Sequence, residues 1–264
     1  MRIRVLIAAV GLGGLLSLAA IEAPAQEPKP VDPTKAALPA DVVPAAFRMY
    51  MVSDTRFPPL KNDDGTAKKG ADGKDVQSPK NRAGKIHCLV CEYGLNPTVA
   101  IFVRSEAGLL GADSGVAKLT RGLDGLIPKY RADKLGGFVA FLRLEGGTKV
   151  VAVKVKRADG SEGEEKVEQD LEYPDDEKRD SYAKDIRDFA GSLNAQNVPF
   201  GLAPEKSKAV TAWGIKDTDE VTVVVYYRMR MVTKPWAFAK VADLTDEKVA
   251  EILKATETAI TGKK

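Results

Sequence analysis

The chain is poor in the residues that build metal and nucleophile sites. Its 264 residues include two cysteines and one histidine. Two cysteines exclude a disulfide-dense scaffold and a four-thiolate zinc centre. One histidine excludes three-histidine and HExxH metal sites, and any Ser-His or Cys-His catalysis has to use His87. An excess of one charge is also missing. Lys+Arg number 40 against Asp+Glu 37, for a formal net charge of +3. Charges this balanced, mixed along the chain, argue against a dedicated nucleic-acid binder. There is no G-x-S-x-G elbow, no D-x-D-x-D-G calcium loop and no dinucleotide fingerprint, since Gly108-x-x-Gly111 and Gly11-x-Gly13 lack the strand–turn–helix context. Carboxylate pairs such as Asp63/Asp64 and Asp175/Asp176 fall in polar stretches, where acid–base work has no support.

What is present begins with an address. Arg2 and Arg4 precede an apolar stretch from Val5 to Ile21, and Ala23-Pro24-Ala25 follows as an A-x-A cleavage site. The pattern predicts a signal peptide over residues 1–25, a mature chain from Gln26 and an exported (periplasmic or secreted) protein. The rival, an uncleaved anchor, has a short apolar stretch broken by Gly11, Gly13 and Gly14. No later segment is long and apolar enough to span a membrane. In an oxidising compartment, Cys88 and Cys91 are expected to form a disulfide. Residues 26–45, with Pro28, Pro30, Pro33, Pro39 and Pro44, read as an extended tether.

The remainder, residues 46–264, reads as one α/β domain. Phe47–Val52 is a candidate first strand. Residues 58–84 are rich in Pro, Gly, Asp and Lys and read as a long mobile loop or open hairpin, and no internal repeat is visible anywhere in the chain. Thr98–Val103 is a strand covered on both faces. Asp113 or Ser114 caps a helix over about Val116–Tyr130, and Phe138–Leu142 is the next buried strand. Lys149–Lys156 reads as an edge strand with one wet face, and the acid-rich residues 158–177 as the solvated tip of a hairpin. Tyr182, Ile186, Phe189 and Leu193 mark an amphipathic helix. Val198–Leu202 is a short strand, residues 205–213 a small helix, and Val221–Tyr227 the strongest strand. Met229–Phe238 is its hairpin partner, and a helix capped by Thr245 closes the chain.

Two local features carry a family resemblance. Trp213-Gly214-Ile215 stands a few residues before Val221–Tyr227. Met229–Phe238 is followed by Asp243-Leu244-Thr245-Asp246-Glu247. With the order of elements, they resemble the third core strand, last strand and closing helix of the thioredoxin-like superfamily, over about Thr98–Ile260. The Cys88-Leu89-Val90-Cys91-Glu92-Tyr93-Gly94 motif is similar to one in exported bacterial thioredoxin-like proteins of unassigned function. The resemblance implies a three-layer α/β sandwich with a mixed central sheet, here carrying an N-terminal extension and an inserted acidic hairpin. It also implies two departures. A thioredoxin keeps its CxxC after the first core strand; the matching loop here, Ser105–Ala112, has no cysteine. Redox thioredoxins place a cis-proline before the third core strand; the matching position is Val221, where a trans peptide is expected.

His87, Cys88 and Cys91 lie within five residues, so any thiol or imidazole chemistry has one address. Three readings stand side by side. In the first, Cys88 and Cys91 are the redox pair of a thiol–disulfide oxidoreductase acting on an exported protein with a thiol or disulfide. In the second, they are a static disulfide in a non-catalytic binding or structural module. In the third, His87, Cys88 and Cys91, with Glu92 as a further donor, hold copper or zinc. The first two need no cofactor.

Overall fold

The computed structural model describes residues 43, 46–144, 147–156, 162–171 and 176–262. The predicted signal peptide and nearly all of the tether lie outside them.

The central strand is β3, Thr98–Val103. Its run of β-branched and aromatic residues is buried at every position, as a strand covered on both faces must be. After it, Ser114 accepts a hydrogen bond from Ala117 N–H and starts helix α2, Gly115–Lys129. Pro128 sits in its last turn rather than ending it. The chain returns as β4, Gly136–Leu144, parallel to β3. Helix α3, Asp176–Leu193, leads to β7, Phe200–Pro204, parallel to β4. Helix α4, Lys208–Ala212, precedes β8, Val221–Tyr227, which runs antiparallel to β3. Two short strands, β9 (Arg230–Met231) and β10 (Trp236–Phe238), both pair with β8. Helix α5, Asp246–Thr261, capped by Thr245, closes the chain. The N-terminal extension supplies β1, Arg48–Ser53, antiparallel to β7, and β2, Ile86–Cys88, antiparallel to β1. The path across the sheet is β10-β8-β3-β4-β7-β1-β2.

Alternation along the strands makes two cores. Val99, Ile101, Val103, Val139 and Phe141 face α2, α3 and α5. Ala100, Phe102, Phe138 and Ala140 face the other way, with Phe47, Val210 of α4 and Trp213. Phe102 packs edge-on against Phe47 and Phe138, with centroids 5.1 and 6.1 Å away. Helices on both sides of one mixed sheet give the expected three layers.

Two expectations need correction. The inserted acidic hairpin is present, with Lys149–Lys156 in its first strand, but the acidic residues 158–177 are not only its tip. Strand β5, Gly147–Lys156, pairs over its whole length with β6, Glu162–Leu171, in a separate two-stranded ribbon. Half of the acidic segment, Glu162–Leu171, is therefore a strand and not a tip. An antiparallel pair satisfies its backbone, and Glu162 and Glu164 are exposed.

The second correction concerns residues 58–84. They form ordered tight turns with an eight-residue repeat: Leu60, Lys68 and Val76 are joined in a cycle. Leu60 N–H donates to Val76 O, Lys68 N–H to Leu60 O, and Val76 N–H to Lys68 O, each at 2.8 Å. Asp64-Gly65 and Asp72-Gly73 occupy equivalent turns, with both glycines at positive φ and both aspartates accepting from a backbone N–H two residues on. Polar turn residues hid the repeat, because it is carried by the backbone and by spacing rather than by apolar periodicity. The third turn is tied down by Asn81, whose side-chain amide donates to Asp54 O and Phe57 O.

Candidate functional site

Cys88 ends β2 and is the N-cap of helix α1, Leu89–Tyr93. Its Sγ takes the place of a serine oxygen, accepting from Cys91 N–H at 3.1 Å. Leu89 and Val90 are buried against Met49 and Met51 of β1, so one side of this short helix is fixed to the sheet. Gly94, at φ 55°, stops it. The opposite side carries Cys91, which is exposed. Cys88 and Cys91 form a disulfide with Cα atoms 5.3 Å apart.

The pair borders an open cavity of about 640 Å³, lined by Arg48, Arg82, Ile86, His87 and Glu92 as well. His87 Nε2 lies 2.6 Å from Glu92 Oε2. The other Glu92 oxygen accepts from Arg56 Nη1 at 2.9 Å. Arg56 is itself anchored by a two-pronged bond to Asp54, at 2.7 and 2.9 Å, and the Asp54 side chain is fully buried. Burial alone would lower the guanidinium pKa. The Asp54 hydrogen bond and the charges of Tyr93, Asp54 and Glu92 outweigh that and hold it above its ordinary value. The same Arg56 Nη1 donates to Tyr93 Oη at 3.0 Å, and Tyr93 Oη donates to Gly137 O of β4 at 3.1 Å. Burial pushes the Tyr93 phenol up to about 12, with Arg56 pulling the other way. Asp54 and Arg56 were not singled out in the sequence. Only the fold brings them to Glu92, and Arg56 sits 36 residues from it.

Both cysteines and His87 meet at one place, as the sequence required. That place is β2, the last strand of the sheet, with β1, β7 and β4 between it and β3. Four strand spacings of ~4.8 Å separate β2 from β3, or about 19 Å across the sheet. The loop after β3 is differently equipped. Arg104, nearly buried, donates through Nε to Lys216 O, through Nη1 to Glu205 O and through Nη2 to Asp217 Oδ1. Arg143 donates to Arg104 O and to Glu106. Two arginines thus knit together the loops where the resemblance would put a thiol. Among the described residues no peptide bond is cis, so the one before Val221 is trans as expected. Among the described residues no group of three or more His, Cys, Asp and Glu is placed to hold a metal ion.

A parallel β-α-β unit, an antiparallel β8 beside its first strand, and a closing helix are now all in view. The fold is thioredoxin-like. No family model matches the chain, and no curated protein does. Among solved structures, it is similar to a protein of Chlorobium tepidum assigned as a thiol:disulfide interchange protein DsbE, at 11% identity and TM-score 0.36, over 80% of this chain and 99% of that one. Peroxiredoxin Q of Xanthomonas campestris aligns at 11% identity and TM-score 0.37, over 67% and 87% of the two chains. BsSco, a member of the Sco family of cytochrome c oxidase assembly proteins, aligns at 11% and 0.30, over 82% and 98%.

Proposed function

We propose that the chain is an exported thioredoxin-like protein whose redox pair is Cys88–Cys91, displaced from the loop after β3 to the edge of the sheet. The observation that carries this reading is the exposure of Cys91 beside an open cavity. Exchange needs a pair that an incoming thiolate can reach, and an exposed Cys91 meets that need.

The exchange is a two-electron transfer. In the reduced protein, the Cys91 thiolate attacks one sulfur of a partner disulfide. A mixed disulfide forms, and the partner's first thiolate leaves and takes a proton from water. The Cys88 thiolate then attacks Cys91 Sγ, releasing the second partner thiol and closing the pair. A dithiol donor returns the two electrons in the reverse sequence. When an incoming thiolate attacks the exposed Cys91, Cys88 is the leaving group, and the Cys91 N–H that already points at its sulfur stabilises the departing charge.

Insulin reduction with a dithiol donor tests this. Acceleration above buffer that disappears in Cys88→Ser and in Cys91→Ser, with folding retained, is the expected result; no acceleration by the unmodified protein overturns it. Export rests on Arg2, Arg4, the apolar stretch and the Ala23-Pro24-Ala25 site. N-terminal sequencing of the mature chain is expected to start at Gln26.

A second reading, a non-catalytic module with a static disulfide, is favoured by the sealed loop around Arg104. In that case both serine variants lower stability and leave partner capture intact. The copper or zinc reading belongs to the reduced pair with His87, because disulfide-bonded sulfurs are not thiolate ligands. Metal content of the reduced protein after dialysis against each ion tests it.

A further inference from the structure

Strand β2, Ile86–Cys88, is the last on the path across the sheet, and among the described residues it pairs with β1 alone. Its outer side is a strand edge, and the register decides which backbone groups stand on it. Met51 N–H donates to Lys85 O, which lies opposite it, one step beyond the Tyr50–Ile86 pair. In an antiparallel ladder, bonded and non-bonded pairs alternate. Met49 and His87 are therefore the next bonded pair, and His87 directs its N–H and C=O at β1. Ile86 and Cys88 are in non-bonded pairs with Tyr50 and Arg48, so their backbone groups point away from β1. The Cys88 carbonyl is taken by helix α1, of which Cys88 is the N-cap. Left on the edge are Ile86 N–H, Ile86 O and Cys88 N–H. Ile86, His87 and Cys88 all line the open cavity of about 640 Å³, so a further segment has room beside them.

We propose that β2 is a docking edge for an extended segment of the protein that exchanges with Cys88–Cys91, a substrate assignment that rests on the redox reading of that pair. The segment adds as an antiparallel strand. Its cysteine stands opposite Cys88, and an apolar residue two positions later stands opposite Ile86. That second residue exchanges both main-chain bonds with Ile86, and the carbonyl of the cysteine accepts from Cys88 N–H. Residues facing each other in such bonded pairs stand about 5.5 Å apart, Cα to Cα, with side chains on one face of the sheet. The partner's cysteine is thereby set beside the sulfurs of Cys88 and Cys91. Ile86 is two residues before Cys88 and shares its face, and at 46% exposure it offers an apolar surface to the second residue. So short an edge makes few bonds, which suits a partner that must leave after exchange.

The test uses the full mature protein, reduced, and end-capped peptides of sequence Thr-Cys-Thr-Val-Thr as symmetric disulfides. Each turnover oxidises the protein's dithiol to its disulfide and releases two peptide thiols. One peptide is N-methylated at the valine, whose N–H donates to Ile86 O in the docked strand. Another is N-methylated at the threonine between cysteine and valine, whose N–H points away from β2. Rates are taken relative to reduction by dithiothreitol, which has no edge. The valine methyl is expected to slow reduction about tenfold, through one lost hydrogen bond and a methyl group in the ladder, and the threonine methyl by less than about twofold. Ile86→Pro removes the outward N–H at a position where an edge strand tolerates proline. It is expected to keep the fold, to reduce the unmethylated peptide about tenfold more slowly, and to reduce glutathione disulfide, too small to add as a strand, as before. Equal effects of the two methyl groups overturn the docking edge and leave the redox assignment standing, because the unmethylated peptide is still reduced. A dimer in sedimentation that Ile86→Pro abolishes also overturns it, since a second copy then occupies the edge. If neither peptide nor glutathione disulfide is reduced, the redox assignment fails. Amide NMR shifts of the Cys88→Ser/Cys91→Ser protein with Thr-Ser-Thr-Val-Thr then decide the docking edge by itself. Shifts at the Ile86 amide that the valine methyl removes support it, and their absence overturns it.

Discussion

Arg56 Nη1 lies 2.9 Å from the carboxylate of Glu92, and through that carboxylate the buried Asp54 is linked to His87 beside the disulfide. The link turns a short surface helix into a fixed part of the sheet. Its central member is also the one whose removal is most damaging. Arg56→Met leaves Asp54 buried and unpaired, and a loss of about 3 kcal/mol in unfolding free energy is expected. Adding Asp54→Asn is expected to recover part of that loss, since the charge that needed Arg56 is gone. Urea unfolding of the single and double variants measures both, and additive losses would count against the pairing.

Tyr93 provides a pH test. Its folded pKa of about 12 stands above the ordinary tyrosine value of 10.0. A raised pKa means the folded state holds the proton more tightly. The stabilisation is therefore complete below pH 10 and is lost as pH rises towards 12. Tyr226 is shifted in the same direction by burial and adds to the effect. Tyr93→Phe is expected to be less stable than the unmodified protein at pH 8, through loss of the bonds to Gly137 O and Arg56, with the gap narrowing above pH 10. A gap that stays constant to pH 12 would show that the phenol does not titrate with unfolding.

Gly115 opens α2, where alanine normally favours a helix by about 1 kcal/mol. A Cβ there would overlap the Leu244 carbonyl oxygen and side chain, and backbone has little room to yield. Gly115→Ala is expected to destabilise by about 3 kcal/mol, the reverse of the propensity effect. Thermal unfolding gives the sign directly, and a stabilised variant would contradict the close packing of α2 on the segment before α5.

The β5–β6 ribbon pairs only with itself among the strands described. Replacing residues 145–175 by a short Gly-Ser linker is therefore expected to leave the circular dichroism and the reduction of insulin nearly unchanged. A collapse of the melting transition would mean that the ribbon belongs to the core.

Much of the fold was legible because burial leaves a periodic mark. Thr98–Val103 and Val221–Tyr227 read as covered strands, and Tyr182, Ile186, Phe189 and Leu193 as one helical face, all as the structure has them. The repeat at Leu60, Lys68 and Val76 left no such mark, since its turns expose most of their side chains. The inserted hairpin was legible, but its second strand was not, because Glu162–Leu171 has little apolar alternation to mark a strand.

For the site, the sequence alone determined that cysteine and histidine chemistry has one location, because His87, Cys88 and Cys91 are the only such residues in the chain. It also showed that the loop after β3 lacks a thiol. Tertiary structure alone decided what surrounds that location. Arg48, Asp54 and Arg56 are distant from His87 in sequence and are ordinary polar residues until strand pairing brings them in; Arg82 is close in sequence and is placed by the turns of residues 60–84. Local spacing sets which groups can react. The charge and access around them depend on contacts between segments, which only the folded chain makes.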